Sequence, residues 1–187
     1  MVETQTKNQL RSQFLKTRSQ LKRDDWQSKS TLICQNLQSF SVLTQAKTVL
    51  AYLSIQNEPN LHQLFTNSQQ IWGFPRCVGQ QMTWWEWKPG DPLQTGRYGI
   101  LEPTTDANII TPNQVDLILV PCVACDRRGY RLGYGGGYYD RMFASPEWQT
   151  IPSIGILFDF ALLHELPIEP WDRQLTYVCT ERQIIRF

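Results

Sequence analysis

The stretch DLILVPCVACDRRGYRLGYGGGYYDRMF, residues 116–143, decides the fold of this chain. It begins in a short apolar segment that predicts a buried strand over 115–120, ended by Pro121. A turn follows at 126–129, with Asp in its first position and Gly in its fourth. Four glycines in five positions come next, and Tyr138 begins a helical pattern. A strand, a glycine-rich loop and a helix in this order predict an anion site, because bare backbone N–H groups and the helix start can face a phosphate.

Four arginines flank this loop, at positions 127, 128, 131 and 141. The loop is not a Walker A loop, because no Gly-Lys-Ser/Thr follows it. It is not the dinucleotide fingerprint either, because Tyr138 stands where the third glycine should be. A flexible turn without a ligand is the alternative. The density of glycines beside two tyrosines and four arginines favours the anion-binding interpretation.

Length, charge and composition bound the class of protein. The 187 residues are expected to form one domain, 1–187, large enough for a sizeable core. A net charge of +1 argues against a dedicated nucleic-acid binder, and no apolar run reaches membrane-spanning length. The polar N-terminus lacks a signal-peptide core, and five spread cysteines indicate free thiols in a reducing compartment. The sequence therefore predicts a cytoplasmic protein without a nucleic-acid or membrane partner.

Strands and helices alternate along the chain. The pattern predicts strands over 47–53, 70–74 (ended by Pro75), 82–87, 115–120, 151–158, 175–179 and 182–186. It predicts helices over 4–21 and 61–65, a helix that begins at 138, and one helical turn at 160–163. A further helix is predicted to begin at Asp24, with Gln27 as the partner in a capping box. Residues 89–112 are predicted to form a long surface excursion. This alternation indicates an α/β sandwich with a mostly parallel sheet.

The central stretch resembles the signature of the 5-formyltetrahydrofolate cyclo-ligase family, also called 5,10-methenyltetrahydrofolate synthetase. Its pattern is close to D-hydrophobic-hydrophobic-x-V-P-G-V-A-F-D-x-x-G-x-R-L-G-x-G-x-G-Y-Y-D. The chain matches it at Asp116, Val120, Pro121, Val123, Ala124, Asp126, Gly129, Arg131, Leu132, Gly133, Gly135, Gly137, Tyr138, Tyr139 and Asp140. It departs at Cys122 and Cys125, where the family usually has Gly and Phe. It also has Gly136 where many members have Lys, which leaves Arg131 or Lys7 to supply more of the charge at a phosphate.

The resemblance implies a three-layer α/β/α fold and a set of site residues. ATP binding is implied for Lys7, Arg11, Arg131, Leu132, Gly133, Tyr134, Gly135, Gly136, Gly137, Tyr138 and Tyr139. Folate binding is implied for Leu53, Glu58, Tyr134, Gly135, Gly136, Gly137 and Tyr138, and magnesium binding for Asp140 and Asp172. From the residues alone, the basic first helix is a solvated face and Glu58 a solvated loop acid. Asp140 alone is an acid favoured by a helix start.

The resemblance also implies a reaction. ATP would phosphorylate the formyl oxygen of 5-formyltetrahydrofolate, N10 would attack the activated carbon, and phosphate would leave. Phosphoryl transfer mainly needs positioning and neutralised charge. The chain offers a glycine loop, several cations and two candidate Mg²⁺ ligands, whereas neither of its two histidines has a recognisable catalytic setting. ATP, Mg²⁺ and the folate are therefore the expected small-molecule partners of a monomeric enzyme.

Other interpretations of single motifs stay open from the sequence. Cys122 and Cys125 have the spacing of a redox or zinc pair, although a structural zinc needs four ligands. The chain could also be a nucleotide or sugar-phosphate binder, or an isomerase, on the same fold. Three tryptophans at 84, 85 and 87 are expected to be core residues, with a folate-pocket wall as the alternative.

Overall fold

The computed structural model describes residues 5–66 and 68–187, apart from the side chain of Tyr98. The helices are α1 Lys7–Ser19, α2 Arg23–Gln38, α3 Ser41–Gln45, α4 His62–Phe65, α5 Tyr138–Ala144 and α6 Pro146–Gln149. The strands are β1 Thr48–Leu50, β2 Ile71–Val78, β3 Gln81–Glu86, β4 Leu93–Thr95, β5 Leu101–Pro103, β6 Ile109–Ile110, β7 Leu117–Pro121, β8 Ala124–Asp126, β9 Arg131–Leu132, β10 Ser153–Ile156, β11 Leu162–Leu163, β12 Tyr177–Cys179 and β13 Ile184–Arg186. Short 3₁₀ turns lie at Arg97–Gly99, Pro112–Gln114 and Asp159–Ala161.

Eight strands form the central sheet in the order β13-β12-β10-β7-β1-β2-β3-β6. The neighbours from β12 to β2 are parallel, while β13, β3 and β6 are antiparallel additions at the two edges. Strands β1 and β7 are adjacent, with Val49 opposite Leu117. The predicted mostly parallel α/β sheet is confirmed.

Alternate residues of the inner strands point into two separate cores. Leu50, Ile118 and Val120 pack in one core, with residues of α1, α5 and α6. Val49 and Leu119 pack in the other, with residues of α2, α3 and α4. Both sheet faces are therefore covered, which makes the fold a three-layer α/β/α sandwich and explains the continuous apolar runs of its strands.

Helix α1 shows how the sequence fixes one outer layer. Thr6 caps it through a reciprocal pair with Gln9: the Gln9 backbone N–H donates to the Thr6 hydroxyl at 3.3 Å, and the Thr6 N–H to the Gln9 side chain at 2.7 Å. Leu10 and Phe14 lie on its buried face. Thr4, where the helix was predicted to begin, lies outside the described residues. Within the described chain, no helix has the length and apolar character needed to cross a membrane.

Some predicted boundaries were wrong, for local reasons. Helix α2 begins at Arg23 after Lys22 and has no side-chain cap, so the capping box predicted at Asp24 is not formed. Strand β2 continues through Pro75 to Val78. Because β1 pairs with β2 only as far as Gly73, the missing N–H of proline costs no bond to β1.

Two other segments contain more strand than predicted. The excursion at 89–112 holds the β4–β5 hairpin and the edge strand β6. The turn at 160–163 is a 3₁₀ turn that leads into β11, which pairs with β8. These four strands, β4, β5, β6 and β11, are only two or three residues long, too short for an alternating pattern to reveal them.

Candidate active site

The glycine-rich loop leaves the sheet after β7 through the small β8–β9 hairpin. The turn of that hairpin is built on Asp126, whose side chain accepts from the N–H groups of Arg128 and Tyr130, each at 3.0 Å, and of Leu166 at 2.9 Å. Arg128 also donates side-chain bonds to Asp126 and is ion-paired with Glu165. Arg128 is therefore structural and is not one of the cations at the loop, contrary to the sequence-based expectation.

The loop itself spans 133–137 and turns through left-handed backbone. Gly135 has φ +97° and Gly137 has φ +67°, a region that side-chain-bearing residues rarely adopt. The Arg11 Nε donates to the carbonyl oxygen of Gly133 at 2.7 Å, and its guanidinium carbon would be 3.5 Å from a Cβ on Gly135. Arg11 thus lies directly against the loop; the family resemblance implied that Arg11 binds ATP.

A set of charged residues, here named the ionic cluster, surrounds the loop: Lys7, Arg11, Arg131, Asp140 and Asp172. Arg131 Nη2 is 2.5 Å from Asp140 Oδ1, and Lys7 Nζ is 2.5 Å from Asp172 Oδ2. Arg131 also donates to the backbone carbonyl of Arg173 at 2.9 Å. Each candidate magnesium ligand therefore has its own cation, Lys7 of α1 at Asp172 and Arg131 of β9 at Asp140, and Arg131 also reaches the backbone next to Asp172.

A second set, named the buried cluster after the burial of Arg18 and Glu58, lies where the loop meets the segment after β1, and it also includes Tyr134, which is 37% exposed. The Tyr134 hydroxyl donates to Glu58 Oε1 at 2.9 Å, and the backbone N–H of Ile55 donates to Oε2 at 3.0 Å. Arg18 donates to the Tyr134 hydroxyl oxygen and, at 3.0 Å, to the carbonyl of Gln56. Glu58 is only 2% exposed, so the interpretation of Glu58 as a solvated loop acid is wrong.

Burial sets the protonation of this cluster. Desolvation raises the pKa of Glu58, against the lowering effects of the Ile55 N–H, the Arg18 charge and the Tyr134 hydroxyl. Desolvation and the nearby Glu58 carboxylate raise the pKa of Tyr134, so its hydroxyl keeps its proton and remains a donor. An ionised Glu58 has further acceptor positions on both oxygens, which suits a ligand rich in N–H groups.

Arg18 is the functional residue that the sequence reasoning missed. It was counted among the solvated basic residues of the first helix, yet it is 3% exposed and its Nη1 is buried without a hydrogen-bond partner among the described residues. The available signal was its spacing. Lys7, Arg11 and Arg18 are four and seven residues apart, so they recur at about the helical period and share one face of α1.

Sheet topology explains why residues so distant in sequence meet. Glu58 follows β1 and the glycine loop follows β7, and these strands are parallel neighbours. Both connections therefore leave the same carboxyl edge of the sheet, the usual ligand edge of open α/β folds. Helix α1 lies across this edge, because its Lys7, Arg11 and Arg18 each contact a residue of the site.

The two predicted magnesium ligands, Asp140 and Asp172, do not belong to a metal centre made of protein groups alone in the described part of the chain. Among residues 5–66 and 68–187, no group of three or more His, Cys, Asp or Glu side chains could hold a metal. Mg²⁺ usually takes one or two carboxylates together with phosphate oxygens and water. Asp140 and Asp172 supply that number, each beside a cation that a phosphate could also bind.

A hollow in the described part of the chain lies away from the glycine loop and does not suit a nucleotide. It measures about 790 Å³ between 111–116 and 147–152. Its lining includes the carboxylates of Asp116 and Glu147, and its described lining contains no Lys or Arg. A phosphate would be repelled there, so the glycine loop remains the candidate site.

The thiol or zinc interpretation of Cys122 and Cys125 is wrong. Both are buried, at 1% and 0% exposure. Burial raises the pKa of Cys122 to about 12 and also raises the pKa of Cys125, so neither is a thiolate at neutral pH. Cys122 follows β7 and Cys125 lies in β8, where they fill space in the core under the loop.

The tryptophans of β3 are mainly core residues. Trp84 is 1% exposed, and its Nε1 donates to the sulfur of Met142 at 3.3 Å. Trp87 is buried as well, whereas Trp85 is half-buried under the guanidinium of Arg76, 5.0 Å from its ring centroid. The core interpretation therefore holds for Trp84 and Trp87.

Comparison with known proteins assigns the chain to a family. A model of the 5-formyltetrahydrofolate cyclo-ligase family matches residues 3–181. The chain belongs to the 5-formyltetrahydrofolate cyclo-ligase family. The 5-formyltetrahydrofolate cyclo-ligase of Haemophilus influenzae is 26% identical over 181 residues, covering 91% of this chain and 95% of that protein. The resemblance and the enzyme class predicted from residues 116–140 are confirmed.

Solved structures of the cyclo-ligase family share the fold. The NMR structure of Aquifex aeolicus 5,10-methenyltetrahydrofolate synthetase superposes with a TM-score of 0.85 at 31% identity, covering 96% of this chain and 92% of that one. The 5,10-methenyltetrahydrofolate synthetase of Mycoplasma pneumoniae gives a TM-score of 0.76 at 25% identity, with 95% and 99% covered. The similarity extends over nearly the whole chain.

The structure therefore brings most predicted site residues of this cyclo-ligase to one place. Contacts of the ionic cluster bring Lys7, Arg11 and Arg131 to the loop 133–137, and Glu58 reaches the loop through Tyr134. Leu53 packs against the core on the α2 side instead. The roles of all these residues in binding ATP, folate or Mg²⁺ stay predictions.

Proposed function

We propose that this chain catalyses the ATP- and Mg²⁺-dependent cyclisation of 5-formyltetrahydrofolate to 5,10-methenyltetrahydrofolate, with ADP and phosphate as the other products. The observation that carries the proposal is the 2.9 Å hydrogen bond from Tyr134 to Glu58. It places a buried carboxylate, suited to the N–H groups of a pterin, beside a glycine loop suited to phosphates. A cyclo-ligase needs these two functions next to each other.

The chemistry balances in two steps. The formyl oxygen attacks the γ-phosphorus of ATP, which forms a C–O–P bond and releases ADP. N10 then attacks the activated carbon and loses its proton, and the C–O bond breaks so that inorganic phosphate leaves with the bonding electrons. The formyl oxygen would otherwise be a poor leaving group, which is why a phosphoryl donor is required.

The chain's own residues would position the two substrates. Glu58 would accept hydrogen bonds from the pterin ring, and Tyr134 would hold Glu58 in place from the loop. The N–H groups of the loop, Arg11 and Arg131 would bind phosphate oxygens, with charge-assisted bonds about twice as strong as neutral ones. Asp140 and Asp172 would hold Mg²⁺, which when bound neutralises phosphate charge.

The test mixes the purified protein with 5-formyltetrahydrofolate, ATP and magnesium and follows the near-ultraviolet absorbance of the methenyl product. Reactions without ATP and reactions with a metal chelator are the controls. Product that requires both is the expected result. A folded protein that gives no product, or product that forms without ATP, contradicts the proposal.

A further inference from the structure

Two of the cations at the glycine loop already have anionic partners. Arg131 is paired with Asp140 and Lys7 with Asp172, each at 2.5 Å. The Arg131 side chain is also only 4% exposed, so most of its surface is already occupied by the protein. These were the two residues expected to make up for the absence of a cation at position 136. Each contributes less free positive charge than a lysine there would.

Arg141 is placed differently. Its Nη2 donates to the carbonyl oxygen of Gly136 at 2.9 Å, and its Nε to that of Gln80 at 3.0 Å. Both acceptors are neutral, and Arg141 forms no salt bridge with any carboxylate in the described parts of the chain. Its side chain is solvent-exposed. The positive charge of Arg141 is therefore uncompensated at the loop.

The guanidinium of Arg141 lies against the loop backbone. Its Nη1 is 2.7 Å from the position that a Cβ would take on Gly137, and its carbon is 4.9 Å from the ring centroid of Tyr138. Helix α5, which carries Arg141, has only seven residues. Such a short helix adds little to anion binding, so the loop depends on its backbone N–H groups and on side-chain charge.

We propose that Arg141 is a phosphate-binding residue of the glycine loop, supplying from α5 the positive charge that Gly136 cannot supply. This inference rests on the proposed function, because it needs a nucleotide phosphate at the loop. On binding, the guanidinium would exchange its bonds to two neutral carbonyls for bonds to phosphate oxygens. That exchange is favourable because charge-assisted bonds are about twice as strong as neutral ones.

A purely structural role is the competing explanation. The hairpin turn between β2 and β3 is tied to α5 by Arg141 at Gln80 and by the Tyr138 hydroxyl, which donates to the carbonyl of Gly79 at 3.0 Å. Arg97, in the 3₁₀ turn after β4, donates to the same carbonyl at 2.5 Å. If Arg141 only fastens this hairpin, its loss would lower thermal stability without acting on phosphate. The test must separate the two roles.

The experiment measures ATP affinity by isothermal titration calorimetry, with magnesium and without folate. We expect Arg141→Gln to weaken ATP binding about 10- to 100-fold, the usual range for hydrogen bonds to charged groups. The matched control is Arg186→Gln. Arg186 is also exposed and also covers a tyrosine ring, Tyr177, at 6.0 Å, but it lies on the edge strand β13. The control should keep wild-type affinity.

The decisive variant is the double substitution Arg141→Gln with Gly136→Lys. The φ of Gly136 is not left-handed, so its backbone accepts a side chain, but a new Cβ would lie 3.1 Å and 3.2 Å from ring carbons of Tyr138, and that ring must shift by a few tenths of an ångström to admit it. We expect the lysine to restore most of the lost ATP affinity, since it returns a cation to the same place. A structural fastener at Gln80 would not be replaced in this way.

The outcomes separate this inference from the proposed function. If the wild-type protein binds no ATP, the proposed function fails and this inference with it. If the wild type binds ATP and Arg141→Gln binds it equally well, the inference alone is overturned. It is also overturned if Gly136→Lys fails to restore affinity while the single variant melts at a lower temperature, because that pattern belongs to the hairpin contact.

Discussion

The buried cluster and the ionic cluster meet on the same five-residue loop but are built in different ways. In the buried cluster, Glu58 and Arg18 are almost inaccessible, and each polar contact is a specific hydrogen bond, including the one that Glu58 accepts from the more exposed Tyr134. In the ionic cluster, cations and carboxylates form ion pairs around the loop, and the side chains of Lys7 and Asp140 are partly exposed. The buried cluster is suited to recognising one ring, whereas the ionic cluster distributes charge over a flexible polyanion. Single substitutions should therefore have larger effects in the buried cluster.

The largest effect is expected at Glu58. Glu58→Ala removes an acceptor for the pterin and leaves the Tyr134 hydroxyl and the Ile55 N–H without their partner. We expect two hydrogen bonds from pterin N–H groups to the Glu58 carboxylate to be lost. At ~1.5 kcal/mol each, their loss predicts a fall of about 100-fold or more in kcat/KM for the folate. Steady-state kinetics would measure it, with the KM for ATP nearly unchanged.

Glu165→Gln is the matched control, because the Glu165 side chain is 62% exposed and is paired with Arg128 away from the loop. It should leave both KM values at the wild-type level. A Glu58 variant that loses ATP affinity as much as folate affinity would show that the two clusters are not separate binding sites.

A smaller effect is expected at Asp140. Asp140→Asn keeps one oxygen but removes the charge that pairs with Arg131 and would hold Mg²⁺. We expect kcat to fall about tenfold and the magnesium concentration needed for half-maximal rate to rise, as charge-assisted bonds are replaced by neutral ones. A magnesium titration of the initial rate measures both.

Asp106→Asn, on an exposed turn, is the comparison for that substitution. An unchanged magnesium requirement in Asp140→Asn would remove this residue from the proposed metal site. It would leave Asp140 with the single task of holding Arg131.

The pH dependence of the buried cluster should have opposite signs for binding and for stability. Because burial raises the pKa of Glu58, the folded state holds the proton more tightly than the unfolded state does. The stability that Glu58 contributes is therefore present at low pH and decreases as the pH rises through the raised pKa. Folate affinity should increase over the same range, because only the ionised carboxylate accepts from several N–H groups.

Urea unfolding and folate titrations at a series of pH values would test this, with Glu58→Gln as the control. The glutamine variant should lack both trends. If wild type and variant give parallel curves, Glu58 does not titrate in this range.

The smallest effect concerns the thiols under the loop. With the pKa of Cys122 raised to about 12 and that of Cys125 raised by burial, neither should react with a thiol reagent in the folded protein. Cys77 is the one half-buried cysteine of the described chain, so at most one thiol should react quickly in native protein and all five after denaturation. Rapid labelling of Cys122 would mean that water reaches the interior beside the buried cluster.

The sequence predicted what is encoded locally. Strand β7, the turn at 126–129 and the glycine loop follow from adjacent residues whose chemistry specifies a backbone shape. The pairing of Lys7 with Asp172 could not be predicted from composition or spacing, because it depends on how the sheet arranges its connections. Arg18 was misjudged for a related reason. An arginine on a basic helix looks solvated until the loop that covers it is known.

Pro75 and Lys22 show a second limit, at the ends of elements. Proline normally ends a strand, but β1 stops pairing two residues earlier, so β2 can continue. Lys22 precedes α2 and provides no side-chain cap. The burial of Ile33 and Leu37 stabilises this helix instead. In both cases tertiary contacts outweigh the local signal.

The contact between Lys7 and Asp172 also has a consequence for folding kinetics. It joins residues 165 positions apart, and the β1–β7 pairing that brings Glu58 to the loop joins residues almost 70 apart. Closing such large loops is slow compared with forming helices or hairpins. A partly folded chain would therefore have native helices before it had a site. During refolding, enzyme activity should be recovered later than the helical signal and at the same time as the central sheet is completed.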